Sequence, residues 1–283
     1  RVLRHVSDAF VEDPLRVLRT ARFAARYHHL GFSVAAETLS LMTEIVRQRE
    51  LEHLPAERIW IELDRALGER NPEIFIEVLR GCGALAVLLP EVEALFGVPQ
   101  TEKHHPEIDS GIHTLMALQQ AVKLSGSRSV RFAVLLHDLG KGATPKSEWP
   151  RHIAHEKRGV KLVRAVCKRL KAPNQYRDLA LRACEYHLHS HRATELRGKT
   201  LLKLFTATGA LRNPEGLEDF LLTCEADARG RLGLENRDYP QADYLHRALK
   251  IAMSVSAAEF AGQFEGKALG EAINRRRLDL LET

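Results

Sequence analysis

The chain has 283 residues, 45% hydrophobic and 28% charged, with a formal net charge of +5. That is enough apolar material for a sizeable core in one large or two modest domains, which excludes a disordered polyelectrolyte. No apolar run approaches the roughly 18 residues of a membrane span, and no secretory leader is recognised, so the expectation is a cytoplasmic protein without membrane contact. The four cysteines, Cys82, Cys167, Cys184 and Cys224, form no Cys-x-x-Cys pair, so buried free thiols are expected rather than a zinc ribbon or a disulfide framework. The mild positive charge is compatible with a polyanionic partner.

Apolar positions recur three and four residues apart almost throughout, which predicts an all-α protein. Glu12-Asp13-Pro14 opens a first helix, with Asp13 suited to the N-cap and Pro14 to the first helical position. Leu15, Leu18, Phe23 and Tyr27 lie near one side of it, and Arg16, Arg19, Arg22 and Arg26 share another face. Helices over 36–49, 55–67 and 72–80 follow, the last stopped by Gly81 and Gly83, and Leu88-Leu89-Pro90-Glu91 closes the block. Residues 97–110 have no period and are crowded with Gly97, Pro99, His104, His105, Pro106 and Asp109. A domain boundary is placed there, giving regions 1–96 and 97–283.

In the second region a helix is expected over 111–123, and another after the Ser-Gly-Ser break at 125–127. A loop over 142–150 precedes helices at 152–170, 174–188, 198–206, 214–229, 240–254 and 267–281. No alternating β-branched run is bounded by turn residues, so no strand is expected. Arg275-Arg276-Arg277 on the last helix suits either a phosphate backbone or a solvated helix C-terminus.

The strongest chemical signal is His137-Asp138, which closes the apolar run Val130–Leu136 and is followed by Leu139-Gly140-Lys141. A carboxylate at the end of a buried helix needs a partner charge, and a metal ion is a good one. With His113 upstream and His155, His187 and Asp227 downstream, the pattern H…HD…H…H…D is an imidazole and carboxylate set suited to a divalent cation that activates water. The bland alternative is a core histidine bonded to a capping aspartate. His113, His137, Asp138 and Asp227 are assigned to a first ion, with Asp138 bridging to a second held by His155 and His187. Lys141, near the helix end, is placed to neutralise a phosphate oxygen, or else is a solvated lysine. His104, His105, His152, His189 and His191 are read as non-ligands, the last two because their spacing from His187 turns them elsewhere.

The stretch Arg1–Ser7 with Glu12–Tyr27 resembles the neck of the bacterial tRNA nucleotidyltransferases, the class II CCA-adding enzymes. Glu57-Arg58-Ile59-Trp60-Ile61-Glu62-Leu63 and Leu85 through Glu91 continue the likeness. The loop His104–Asp109 and the HD pattern resemble the multifunctional members of that family in gamma- and betaproteobacteria, so the resemblance runs over essentially the whole chain.

The resemblance implies that Glu12, Asp13 and Arg16 pair with incoming CTP or ATP, with Arg19 and Arg22 continuing the nucleotide-selecting helix. An Asp13–Arg16 pair, three residues apart, would present donors and acceptors like a base edge. It implies tRNA as partner, and phosphohydrolase activity on 2′,3′-cyclic phosphates, 2′-nucleotides and other esters, with nickel the favoured metal among divalent ions; the site would then rest on His137, Asp138 and Lys141. The glycine-serine signature and Asp-x-Asp pair that hold catalytic magnesium in the family's polymerase head are missing from these residues. A head preceding Arg1 is therefore expected, and CCA addition is expected of the parent protein alone. A stand-alone HD phosphohydrolase and a non-catalytic tRNA-binding module are the competing readings. The first is disfavoured by Glu12-Asp13-x-x-Arg16, the second by the complete ligand set. The association state is open between monomer and homodimer.

Overall fold

In a computed structural model of the chain, residues 1–102 and 105–282 are described. They fold almost entirely as helices. The only β-strands among them, Val2–Leu3 and Ser33–Val34, pair in parallel over two residues, too short for any sequence period to announce. The all-α expectation holds.

In the N-terminal part the helix Leu15–Tyr27 packs against Ala56–Leu67 and Pro72–Gly81. Its inward face is Leu15, Val17, Leu18, Ala21, Ala24 and Ala25, and the small residues let the neighbouring helices come close. Phe23 and Tyr27 are not on that face: they stack on each other at 6.1 Å, with Phe23 exposed. Pro14, not Asp13, takes the N-cap position, because the helix begins at Leu15; Asp13, one residue further out, still accepts the Leu15 N–H through Oδ1 at 3.1 Å.

In the second part, Ser110–Leu124, Asn174–His191 and Glu215–Arg229 gather round Arg128–Leu136, and His155–Leu170 packs on Asn174–His191 and on the turn Leu139–Gly142. That central helix is buried at every position from Val130 to Leu136, which explains why it is apolar throughout except for Arg131, whose guanidinium is satisfied by backbone carbonyls. Its N-terminus is capped by Ser127, and the Ser110–Leu124 helix by Asp109, whose Oδ1 accepts from Gly111 and Ile112. Gly140 is a contact glycine: a Cβ there would lie 1.9 Å from the His155 carbonyl oxygen, so only glycine lets the turn after Asp138 touch the His155–Leu170 helix.

The core continues across residue 97. Trp60 meets Phe132 and Tyr176 edge-on, Tyr176 donates to Asp64 at 2.6 Å, and Arg131 reaches back to the carbonyls of Leu67 and Glu69. All four cysteines are buried free thiols. Two boundaries differ from the sequence reading by three residues. The helix expected from 152 starts at His155, because His152 and Ala154 take left-handed backbone conformations, and the helix expected to stop at 188 runs to His191. No helix among the described residues is long and apolar enough to cross a membrane.

Candidate metal centre

The central helix runs out at His137, and Asp138 starts the short turn Leu139–Gly142. Four further helices converge there, each supplying one residue of the sequence pattern. His113 and His187 come from within their helices, His155 opens its helix, and Asp227 lies near the end of Glu215–Arg229. All six side chains are buried and meet in one cluster. His113 Nε2 is 3.0 Å from Asp227 Oδ1, and His137 Nε2 is 3.2 Å from Asp138 Oδ2 and 3.7 Å from Asp227 Oδ1. On the other side, His155 Nε2 and His187 Nε2 lie 3.1 and 3.6 Å from Asp138 Oδ1, and 3.4 Å from each other. The two oxygens of Asp138 thus face two different histidine groups.

The other ring nitrogens decide what this cluster can hold. Nδ1 of His137 lies 2.7 Å from the Val134 carbonyl, that of His155 3.0 Å from His152 O, and that of His187 2.9 Å from Ala183 O. His113 Nδ1 is 3.0 Å from both Gly230 O and Glu107 Oε1. Carbonyls and carboxylates only accept, so each Nδ1 carries a proton, and each ring in its neutral form turns the lone pair of Nε2 inward, toward carboxylate oxygens. Acceptors face acceptors at 3.0 to 3.9 Å. His137 Nε2 and Asp138 Oδ1 are buried without a hydrogen-bond partner. A cation satisfies all of these groups at once, and the nitrogen and oxygen donor set suits a divalent transition metal. The residues fit such an ion.

The electrostatics agree. Burial opposes a charge on His137, yet the adjacent Asp138 and Asp227 push it up to about 10. Burial also opposes ionisation of the two aspartates, but His137 and Lys141 hold Asp138 well below the usual carboxylate range, and His191 and His137 do the same for Asp227. His187 is held well below its usual value by burial. Left to protons alone, the cluster keeps one on His137 between two ionised carboxylates.

Around this centre lie residues that the sequence reading undervalued. Lys141 is no solvated lysine: it is buried, with Nζ 2.5 Å from Asp138 Oδ2 and donating to Gln100 Oε1. His191 Nε2 donates to Asp227 Oδ2 at 2.6 Å while its Nδ1 faces the Tyr239 hydroxyl at 3.1 Å, which in turn meets Ser190. Its spacing of four from His187 puts the two on one helical face, a signal available in the sequence. Glu107, from the loop, is held well below the carboxylate range: burial opposes this, but His105 and His113 outweigh it. Burial lowers His105 to about 4. Arg231 Nη2 is 3.6 Å from Asp227 Oδ1. His104 lies outside the described residues, and His189 points to Tyr186. A cavity of about 480 Å³ opens beside the centre, lined among others by Gln100, Lys141, His152, His155, His191 and Arg231.

The N-terminal candidates are arranged differently from expectation. Asp13 is not joined to Arg16. Its carboxylate takes Arg58 at 3.1 Å, with Arg19 at 3.9 Å, while Arg16 donates to the Ala9 carbonyl. Arg22 is committed to packing, with Nε 2.7 Å from the buried Glu62 and Nη1 3.5 Å from Glu69. Glu62 and Glu69, on or just past the neighbouring helix, draw the arginine stripe against protein rather than water. Glu12 is exposed, and Arg16 lines a cavity of about 410 Å³ with Leu3, His5, Phe10, Thr20 and Phe23.

Residues 111–248 match the HD domain family, and residues 31–96 match a family described as a probable RNA- and SrmB-binding site of polymerase A. The chain is 56% identical over all 283 residues to the multifunctional CCA protein of Teredinibacter turnerae and 58% identical to that of Pseudomonas fluorescens, spanning 69% of each. Among solved structures, a CCA-adding enzyme in complex with ATP superposes with a TM-score of 0.57 at 14% identity, over 99% of this chain and 58% of that one. The Thermotoga maritima CCA-adding enzyme complexed with tRNA does so at 0.56 and 14%, over 99% of this chain and 60% of that one. At that identity the likeness is one of fold.

Proposed function

From the premise that this chain belongs to the multifunctional CCA protein family, we propose that residues 97–283 are a metal-dependent phosphohydrolase and residues 1–96 the neck and body of a tRNA-directed nucleotidyltransferase. The observation that carries the hydrolase reading is the buried convergence of four imidazole Nε2 atoms, their Nδ1 atoms tied outward, on two ionised carboxylates. His113, His137, Asp138 and Asp227 would hold one divalent ion, and Asp138, His155 and His187 a second. An ion bound there supplies a Lewis acid for a phosphoryl oxygen and lowers the pKa of water.

The chain's own groups do the rest. Carbonyls fix the tautomers of His137, His155 and His187 so that Nε2 is free. His191 and Arg231 keep Asp227 anionic and oriented. Lys141, steadied by Gln100, keeps a positive charge at the cavity wall for a non-bridging phosphate oxygen. The substrates are phosphate esters, 2′,3′-cyclic phosphates and 2′-nucleotides among them, with nickel the favoured ion.

For residues 1–96, Glu12, Asp13, Arg16 and Arg19 face incoming CTP or ATP, with Asp13 steadied by Arg58, while Arg22 braces the helix through Glu62. The CCA-adding activity, its magnesium-binding carboxylates and tRNA as substrate belong to the whole protein of this family. The test is hydrolysis of 2′,3′-cyclic AMP with and without nickel, beside the double variant His137→Ala/Asp138→Ala. Metal-dependent turnover lost in the variant is expected. A folded chain inert with every divalent metal would overturn the hydrolase reading.

A further inference from the structure

The cavity beside the metal centre contains two buried polar side chains whose hydrogen bonding is half complete in complementary senses. His152 is 3% exposed, and its Nε2 lies 2.8 Å from the Pro99 carbonyl. A carbonyl only accepts, so Nε2 carries the proton and Nδ1 is left an acceptor. That Nδ1 is buried and has no partner. Gln100 is 4% exposed. Its Oε1 faces the Lys141 ammonium, which only donates, so the amide orientation is settled and Nε2 is left a donor. It too is buried and without a partner. Pro99, which holds His152, is the residue next to Gln100, so one loop brings the two groups to the same wall. A third unfilled group, the buried Nε–H of Arg231, lines the same cavity close to Asp227.

This set excludes one kind of ligand and matches another. A fully ionised phosphate group offers acceptors to Arg231 and Lys141 but has no proton to donate to His152 Nδ1. A hydroxyl donates and accepts at once: it donates to His152 Nδ1 and accepts from Gln100 Nε2. Resting on the phosphohydrolase reading above, we infer that His152 and Gln100 are specificity-determining residues that recognise a free hydroxyl on the carbon next to the phosphate-bearing one, while Arg231 takes a phosphate oxygen. Among the phosphate esters already proposed, one that keeps a free hydroxyl beside its phosphate then gains two hydrogen bonds over one that lacks it. A 2′,3′-cyclic phosphate has both hydroxyls esterified and leaves the His152–Gln100 pair unfilled until its ring is opened.

The backbone supports a dedicated role. His152 and Ala154, neither of them glycine, both hold left-handed conformations, with φ of 49° and 58°. Such strain persists where surrounding contacts fix it, and it gathers at ligand sites. The contacts here are the His152–Pro99 bond and the bond from His155 Nδ1 to the His152 carbonyl, at 3.0 Å. The residue that reads the hydroxyl therefore also orients a candidate metal ligand.

The test compares adenosine 2′-monophosphate with 3′-deoxyadenosine 2′-monophosphate, which differ only in the neighbouring hydroxyl. The readout is the ratio of kcat/KM for the two with the nickel-loaded chain, a quantity from which any loss of folded enzyme cancels. A ratio of roughly ten or more is expected, because a site built to bond a hydroxyl rejects an analogue lacking it. In His152→Phe it should collapse toward one. Should that variant fail to fold by circular dichroism, Gln100→Met supplies the same measurement. Calorimetric binding of the two nucleotides to the metal-loaded chain gives an independent readout that does not require turnover. A chain that hydrolyses nothing yet binds the hydroxylated nucleotide at least roughly tenfold tighter keeps this inference and sinks the hydrolase reading. A ratio near one in the unsubstituted chain, or an unchanged ratio in the folded variant, overturns the inference and leaves the hydrolase reading standing.

Discussion

Metal uptake by the buried cluster should be coupled to release of a proton, and the coupling has a definite sign and size. His137 is pushed up to about 10 by Asp138 and Asp227, above its usual value of about 6.5, so at pH 7 it is protonated in the metal-free fold. An ion that takes Nε2 must displace that proton. With a pKa roughly three units above pH 7 and 1.36 kcal/mol per unit, the displacement costs about 4 kcal/mol at neutral pH. Apparent affinity for nickel or manganese should rise roughly tenfold per pH unit from pH 6 to 9, and level off as pH passes His137's own pKa.

The metal-free fold behaves in the opposite sense. The ion pair of protonated His137 with the aspartates contributes stability that is fully present below about 6.5 and is lost as pH rises through about 10. Isothermal titration calorimetry at several pH values, in buffers of different ionisation enthalpy, counts the protons released. Close to one proton per first ion bound at pH 7 is expected. Affinity independent of pH over that range, with no proton released, would refute the assignment of His137 as a ligand.

Further consequences follow from single contacts. Gly140→Ala places a methyl group 1.9 Å from the His155 carbonyl oxygen, between two backbones with no side chain to give way; it should destabilise the fold by about 3 kcal/mol, read as a lowered urea midpoint, and weaken metal binding with it. Lys141→Met should lower kcat/KM for phosphate esters roughly a hundredfold while metal uptake stays within a few-fold, and an equal loss of both would show that the lysine serves the fold. Glu62→Ala strips the buried carboxylate from Arg22, leaving that arginine only Glu69 at 3.5 Å; a loss of about 3 kcal/mol is expected by thermal denaturation, and an unchanged Tm would contradict the bracing role.

The metal cluster was legible in the sequence because His137-Asp138 closes a helix that is almost wholly apolar, while His113, His155, His187 and Asp227 sit on helices packed around that end. Once the periodic faces are buried, residues such as His113 and His187 are carried inward with them. What surrounds the cluster was not legible, for two reasons. Gln100 and Glu107 come from a loop without a period, and Arg231 lies just past a helix end; side chains there are aimed by turns that composition does not specify. The alternating spacing of His189 and His191 after His187 turns only His189 away, because a spacing of four keeps His191 on the His187 face of the helix. At the N-terminus the arginine stripe was visible, but its partners Arg58, Glu62 and Glu69 lie about 40 or more residues away, beyond what local pattern can pair. The short parallel strand pair at Val2–Leu3 and Ser33–Val34 depends on such a long-range meeting too.

The central claim is that inward-turned imidazoles and two carboxylates hold a divalent ion. X-ray absorption at the nickel edge, on chelator-stripped chain reloaded to saturation, tests it directly. The account predicts one or two ions per chain, bound by several imidazole nitrogens with carboxylate oxygens, and lost in His137→Ala/Asp138→Ala. Nickel held by sulfur, or by water alone, or bound equally well by the double variant, would contradict it.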